Sequence, residues 1–187
     1  HHGEYLYASN GEIVLVIHAP PDGPMEYVYS FDKEVATQAR FAFADHYMFI
    51  GGSFDGEKTA IYDIDDPAQP EFITALDTFG SLAVDWENRL LFVGAYYCTV
   101  YDLTPLEEYG AAPDSIAAFS SSNWFTGYYL VTDNRLLCVD DTGVFVIEYS
   151  HEAATDNTAA PAPALALSSC PNPFNPATTI NYSVPQP

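Results

Sequence analysis

The sequence predicts an all-β chain built from repeated antiparallel sheets of four short strands. Three observations carry that expectation. Apolar runs of four to six residues recur between Gly, Asp, Asn and Pro, while helical periodicity is almost absent. Strand-like segments also recur in a fixed order: Phe41–Asp45, Tyr47–Gly51, Thr59–Ile64 and Phe72–Leu76 are followed by Leu82–Asp85, Leu90–Gly94, Thr99–Leu103 and Ile116–Phe119. A further set starts at Tyr129–Asp133 and continues with Leu136–Asp140 and Val144–Glu148, which offsets the first strands by 41 and then 47 positions.

An earlier, partial set holds Tyr5–Ala8, Ile13–Ile17 and Tyr27–Ser30. Turn residues fall in register with these segments. Asn10-Gly11, Asp55-Gly56 and Asp141-Thr142-Gly143 lie between second and third strands, where Asn-Gly and Asp-Gly tolerate the positive φ of a tight hairpin. Asp45, Asp85 and Asp133 each end a first strand, where a carboxylate can accept backbone amides and close a turn. Asp65-Asp66-Pro67-Ala68-Gln69-Pro70 and Pro20-Pro21-Asp22-Gly23-Pro24 mark loops to an outer strand, since proline stops the strand before it. The best helix candidate, Lys33–Gln38, is short. Four-stranded antiparallel sheets at this period are the blades of a β-propeller. Residues 1–150 are expected to form about four blades, the first starting at its second strand and the last stopping at its third.

The composition agrees with a packed repeat protein. The 187 residues carry 26 Asp and Glu against 5 Lys and Arg, a net charge of −21. A hydrophobic share of 48%, with 15% aromatic, is enough to bury a core and excludes disorder over most of the length. Five cations cannot build a phosphate-neutralising face, so no nucleic-acid partner is expected. No apolar run reaches the roughly 18–20 residues of a membrane span. Much of the acid falls in hairpin turns and strand ends, as on the solvated rim of a repeat β-protein.

Residues 151–167 turn to Ala, Pro and Thr and read as a semi-extended linker. Behind it, Pro171-Asn172-Pro173-Phe174-Asn175-Pro176 forms a rigid, non-helical turn segment holding Phe174. Thr178–Val184 then alternates as a strand with one apolar face. Residues 168–187 are therefore expected to open a small β-sandwich with its first strand, and the chain reads as a piece of a longer protein.

Two resemblances follow from these residues. Tyr62-Asp63-Ile64-Asp65-Asp66-Pro67-Ala68-Gln69-Pro70, with the Ala83-Val84-Asp85 strand and Leu91-Phe92-Val93-Gly94 after it, resembles the LVIVD repeat, a propeller blade of secreted and surface proteins. Pro171, Asn172, Pro173, Phe174, Asn175, Pro176, Thr178, Thr179 and Ile180 resemble the opening of the C-terminal sorting domain of type IX secretion, the Por system. A similar sandwich occurs in a flagellar-hook capping protein. The second resemblance implies that residues 168–187 are the first strand of an Ig-like β-sandwich truncated in this chain, and that the protein is secreted or displayed at the outer surface of a Gram-negative bacterium, with the outer-membrane secretion machinery as a partner.

Sites for chemistry are sparse. Cys98, Cys138 and Cys170 lie far apart, and Cys138, mid-strand, reads as a small buried hydrophobe. None of His1, His2, His18, His46 and His151 has a second His or Cys at ligand spacing. Hydrolase, metalloprotease and phosphate-loop motifs are absent from the sequence, and no catalytic residue is assigned. Asp63, Asp65 and Asp66 could supply oxygen ligands to Ca²⁺, but turn hydrogen bonds are their expected role, and no cofactor is expected. Tyr96, Tyr97, Trp124, Phe125 and Tyr128 are candidate binding aromatics, able to stack on a sugar or anchor a protein, with filling of the space between blades as the other role open to them.

These features lead to a non-enzymatic propeller that presents a protein- or carbohydrate-binding, or scaffolding, face. The competing expectation is an accessory propeller of a secreted peptidase or polysaccharide-degrading enzyme with its catalytic domain upstream. A third places chemistry in a central channel where Asp45, Asp85 and Asp133 would converge.

Overall fold

A computed structural model describes residues 1–10, 12–32, 39–52, 58–94, 97–120, 125–131, 134–140, 143–149, 168–171 and 178–181. It is all-β. A first sheet of three strands holds β1 (Tyr5–Ser9), β2 (Ile13–His18) and β3 (Glu26–Asp32). A second sheet of four strands follows, with β4 (Arg40–Ala44), β5 (Tyr47–Gly51), β6 (Thr59–Asp63) and β7 (Glu71–Leu76). The third has β8 (Ser81–Asp85), β9 (Leu90–Gly94), β10 (Tyr97–Asp102) and β11 (Asp114–Ser120). The fourth has β12 (Phe125–Val131), β13 (Arg135–Asp140) and β14 (Gly143–Glu148). Within each sheet, strands adjacent in sequence pair antiparallel, as short connections favour.

One backbone hydrogen bond recurs in all four sheets. The residue before the second strand of a set offers its carbonyl to the amide just after the third. Ala19 donates to Glu4 at 2.7 Å, Ile64 to His46 at 2.7 Å, Leu103 to Arg89 at 2.7 Å, and Tyr149 to Asn134 at 3.0 Å. A β-bulge also recurs two to three residues before that amide, between Val16 and Ile17, Ile61 and Tyr62, and Val100 and Tyr101. The bulge leaves one extra residue on the outer strand and tightens its twist.

Alternating side chains explain how the sheets pack. Met48 and Ile50 point to one face of β5 and join Tyr7, Val14 and Val16 of the first sheet in a buried cluster. Tyr47 and Phe49 point to the other face and meet Leu91 and Val93 of β9. On its far side β9 offers Leu90 and Phe92 to Leu136, Cys138 and Ile147 of the fourth sheet. Both middle strands are thus buried on two faces, at about 1.5–3 kcal/mol for each large apolar side chain removed from water. At one end, β4 and β12 both lie against β8, and Arg40 Nη1 donates to Ser81 Oγ at 2.7 Å.

Several details depart from the sequence reading. Asp45 lies in the turn after β4, at φ +50°, rather than closing the strand itself. Tyr97, which the sequence places with Tyr96 in a hairpin turn, is instead the first residue of β10, paired with Ser120. Helix α1 (Thr104–Tyr109) was not expected. Its signals are local: Pro105 fits the first turn, where no amide donor is needed, and Gly110 at φ +61° ends it by donating to Leu106 O at 2.9 Å. The C-terminal stretch holds a pair of strands rather than one: β15 (Ser168–Pro171) pairs antiparallel with β16 (Thr178–Asn181), and β16 lies against β14. Lys33–Gln38, Gly11, Asp55-Gly56, Asp133, Asp141-Thr142 and the linker at 151–167 lie outside the described residues. Among the described residues no helix is long and apolar enough to cross a membrane.

Candidate functional site

The recurring hydrogen bond brings the same two places together in each sheet: the turn residue before the second strand and the last residue of the third. In the first sheet these are Glu4 and His18, with Nε2 of the ring 3.3 Å from Oε2 of the carboxylate. In the third they are Arg89 and Asp102. There Arg89 turns to Glu107 of α1, its Nη2 donating to Oε1 at 2.7 Å, and stacks 4.3 Å over the Trp86 ring. In the fourth they are Asn134 and Glu148, and Glu148 pairs with Arg135, the first residue of β13, Nε to Oε1, at 3.0 Å.

In the second sheet the pair is His46 and Asp63, because the β5–β6 register sets Tyr47 opposite Asp63. Asp63 Oδ1 accepts the Asp65 amide at 2.7 Å, which curls the loop so that Asp65 faces the same way. One ligand atom each from His46, Asp63 and Asp65 then lies within 4.8 Å of the others. His46 Nδ1 donates to Asp45 Oδ2 at 2.8 Å, since a carboxylate can only accept. The imidazole rests on the Tyr47 ring, with centroids 4.0 Å apart. Burial, followed by the charges of Asp63, Glu107, Asp45 and Asp65, raises the Tyr47 phenol above its ordinary pKa of 10.0, a mark of the negative field here.

The loop after β6 forms a cleft of about 230 Å³ lined by Asp63, Asp65, Asp66, Gln69 and Glu71. Asp66 Oδ1 accepts the Ala68 amide at 3.0 Å, and the Tyr7 hydroxyl donates to Pro67 O at 2.9 Å, tying the loop to the first sheet. Burial, with smaller contributions from Tyr5 and Asp66, pushes the Tyr7 phenol up to about 12.

No family model and no curated protein matches the chain.

The expected aromatic site is only partly within view. Tyr97 is 71% exposed. Tyr96 and Trp124 lie outside the described residues, as do Asn172, Pro173, Phe174, Asn175 and Pro176 of the proline-rich motif, whereas Pro171 ends β15. Phe125 and Tyr128 belong to β12, whose backbone pairs them with Asp140 and Cys138. Cys138 is fully buried, and burial pushes its thiol up to about 12. Cys98 is likewise buried in the same core cluster.

A different aromatic face was not singled out from the sequence. Tyr27 and Phe72 occupy corresponding places on the outer strands β3 and β7, opposite Ile17 and Tyr62 just past each bulge, and are 66% and 50% exposed. Between them run ring contacts from Tyr29 to Phe31 (6.1 Å), Phe31 to Tyr62 (4.9 Å) and Tyr62 to Phe72 (5.6 Å). The signal available was the aromatic alternation of Tyr27-Val28-Tyr29-Ser30-Phe31 on the last strand of its set.

Proposed function

We propose that the chain is a non-enzymatic binding module: successive blades of a β-propeller, of LVIVD type, that present an aromatic face to a protein or carbohydrate. Residues 168–187 open the sorting domain that sends the protein through the type IX route, and the product works outside a Gram-negative cell. The recurring turn-to-strand hydrogen bond and the juxtaposed first strands β4, β8 and β12 support the blade reading.

The observation that carries the binding role is the aromatic run from Tyr29 to Phe72, with Tyr27 and Phe72 exposed at matching places. Amphipathic rings held rigidly on neighbouring strands stack on sugar faces or anchor a partner at little entropic cost. Affinity electrophoresis through gels holding xylan, laminarin or mannan tests it. Retardation in at least one gel is expected, relieved by Tyr27→Ala combined with Phe72→Ala. Equal migration in every gel removes the carbohydrate ligand in favour of a protein one, and hydrolysis of any of these glycans would contradict the non-enzymatic reading.

A further inference from the structure

We infer that His46, Asp63 and Asp65 form a binding site for one divalent first-row transition-metal ion. Their ligand atoms lie within 4.8 Å of one another, so side-chain shifts of well under an ångström bring all three to the about 2.0–2.2 Å that a bound ion requires. The set is not a patch of surface acid. It combines a nitrogen ligand, delivered by the β4–β5 turn, with two carboxylates delivered by the end of β6 and its loop. An imidazole selects Zn²⁺, Ni²⁺, Cu²⁺ or Fe²⁺ over Ca²⁺, which prefers an all-oxygen shell.

Two observations outside the three ligands point to the same occupant. Asp45 accepts the His46 Nδ1 proton, which leaves Nε2 as the metal-binding lone pair. A carboxylate behind the ring is the usual outer partner of a ligating histidine. The adjoining cleft adds Asp66, Gln69 and Glu71, all oxygen donors, with no Lys or Arg among its lining residues and room for waters to complete the coordination. In the third and fourth sheets an arginine lies at or beside the corresponding places and pairs with a carboxylate: Arg89 with Glu107, Arg135 with Glu148. Among the described residues no ion pair engages Asp63 or Asp65, and in this reading the metal supplies the positive charge.

The site stands apart from the aromatic face, and its failure would leave that reading intact. The experiment is a titration of the 187-residue chain with Co²⁺ near neutral pH, followed by visible absorption and by calorimetry, with Zn²⁺ as competitor. One equivalent of Co²⁺ is expected, with a ligand-field band that Zn²⁺ abolishes. His46→Gln and Asp63→Asn should each weaken binding by about tenfold or more. Asp63→Asn keeps an oxygen for the Asp65 amide, so the loop is retained, and circular dichroism verifies both folds. Glu12→Gln, near the β1–β2 connection, should bind as the parent does. No saturable equivalent at millimolar Co²⁺ would overturn the proposal. So would equal binding by the parent and His46→Gln, the signature of diffuse attraction to a chain of charge −21.

Discussion

The Tyr149 hydroxyl donates a hydrogen bond to Oδ2 of Asp85, joining the end of the fourth sheet to the last residue of β8. Asp85 is buried, and its other donors come from Asn88, the backbone amide at 3.1 Å and Nδ2 at 2.7 Å. A buried carboxylate needs such donors, because removing one leaves part of its charge unsolvated. Tyr149→Phe is therefore expected to lower the unfolding free energy by about 2 kcal/mol, measured by urea denaturation. The Tyr149 ring packs 5.2 Å from Phe92 and the variant keeps that contact, so any loss belongs to the hydroxyl.

Two glycines separate steric from conformational cost. Gly94 ends β9 at φ +159°, and a Cβ there would sit 1.7 Å from the Tyr97 carbonyl oxygen. Gly110 ends α1 at φ +61° with nothing within 4 Å of a Cβ. Gly94→Ala must shift backbone and should cost about 3 kcal/mol or more. Gly110→Ala meets only the left-handed penalty of about 1 kcal/mol. Comparing the two by thermal unfolding checks the order, and an equal loss would contradict the close approach at Gly94.

Alkaline pH should destabilise the fold earlier than charge repulsion alone requires. Burial raises Cys138 from 9.0 to about 12 and Tyr7 from 10.0 to about 12. From about pH 9 to 12 the unfolded chain has released protons that the folded chain still holds, so stability is full below pH 9 and falls across this window. Urea titrations at rising pH measure the slope. Cys138→Val should flatten it, and the native thiol should resist alkylation near pH 8 while the denatured chain reacts.

The strands were legible because their period is short and their turns are marked. Tyr47–Gly51 and Leu90–Gly94 match β5 and β9 to the residue. Helix α1 was not legible, since six residues make less than two turns and show no 3.6-residue pattern; only Pro105 and Gly110 bracket it. The meeting of His46 with Asp63 was hidden for a different reason. Ligand spacing along the chain does not reveal it, because it depends on the antiparallel register that sets Tyr47 opposite Asp63. The exposure of Phe72 was likewise set by a bulge, which decides the face each outer-strand residue takes.

The account rests on four sheets being copies of one unit, closed each time by the same backbone hydrogen bond. Hydrogen–deuterium exchange of the Ala19, Ile64, Leu103 and Tyr149 amides measures this most directly, because each lies just outside its strand and donates that bond. All four should exchange slowly, close to the rates of the strand interiors beside them. Free exchange at any two of them, with β5 and β9 still protected, would contradict the repeat.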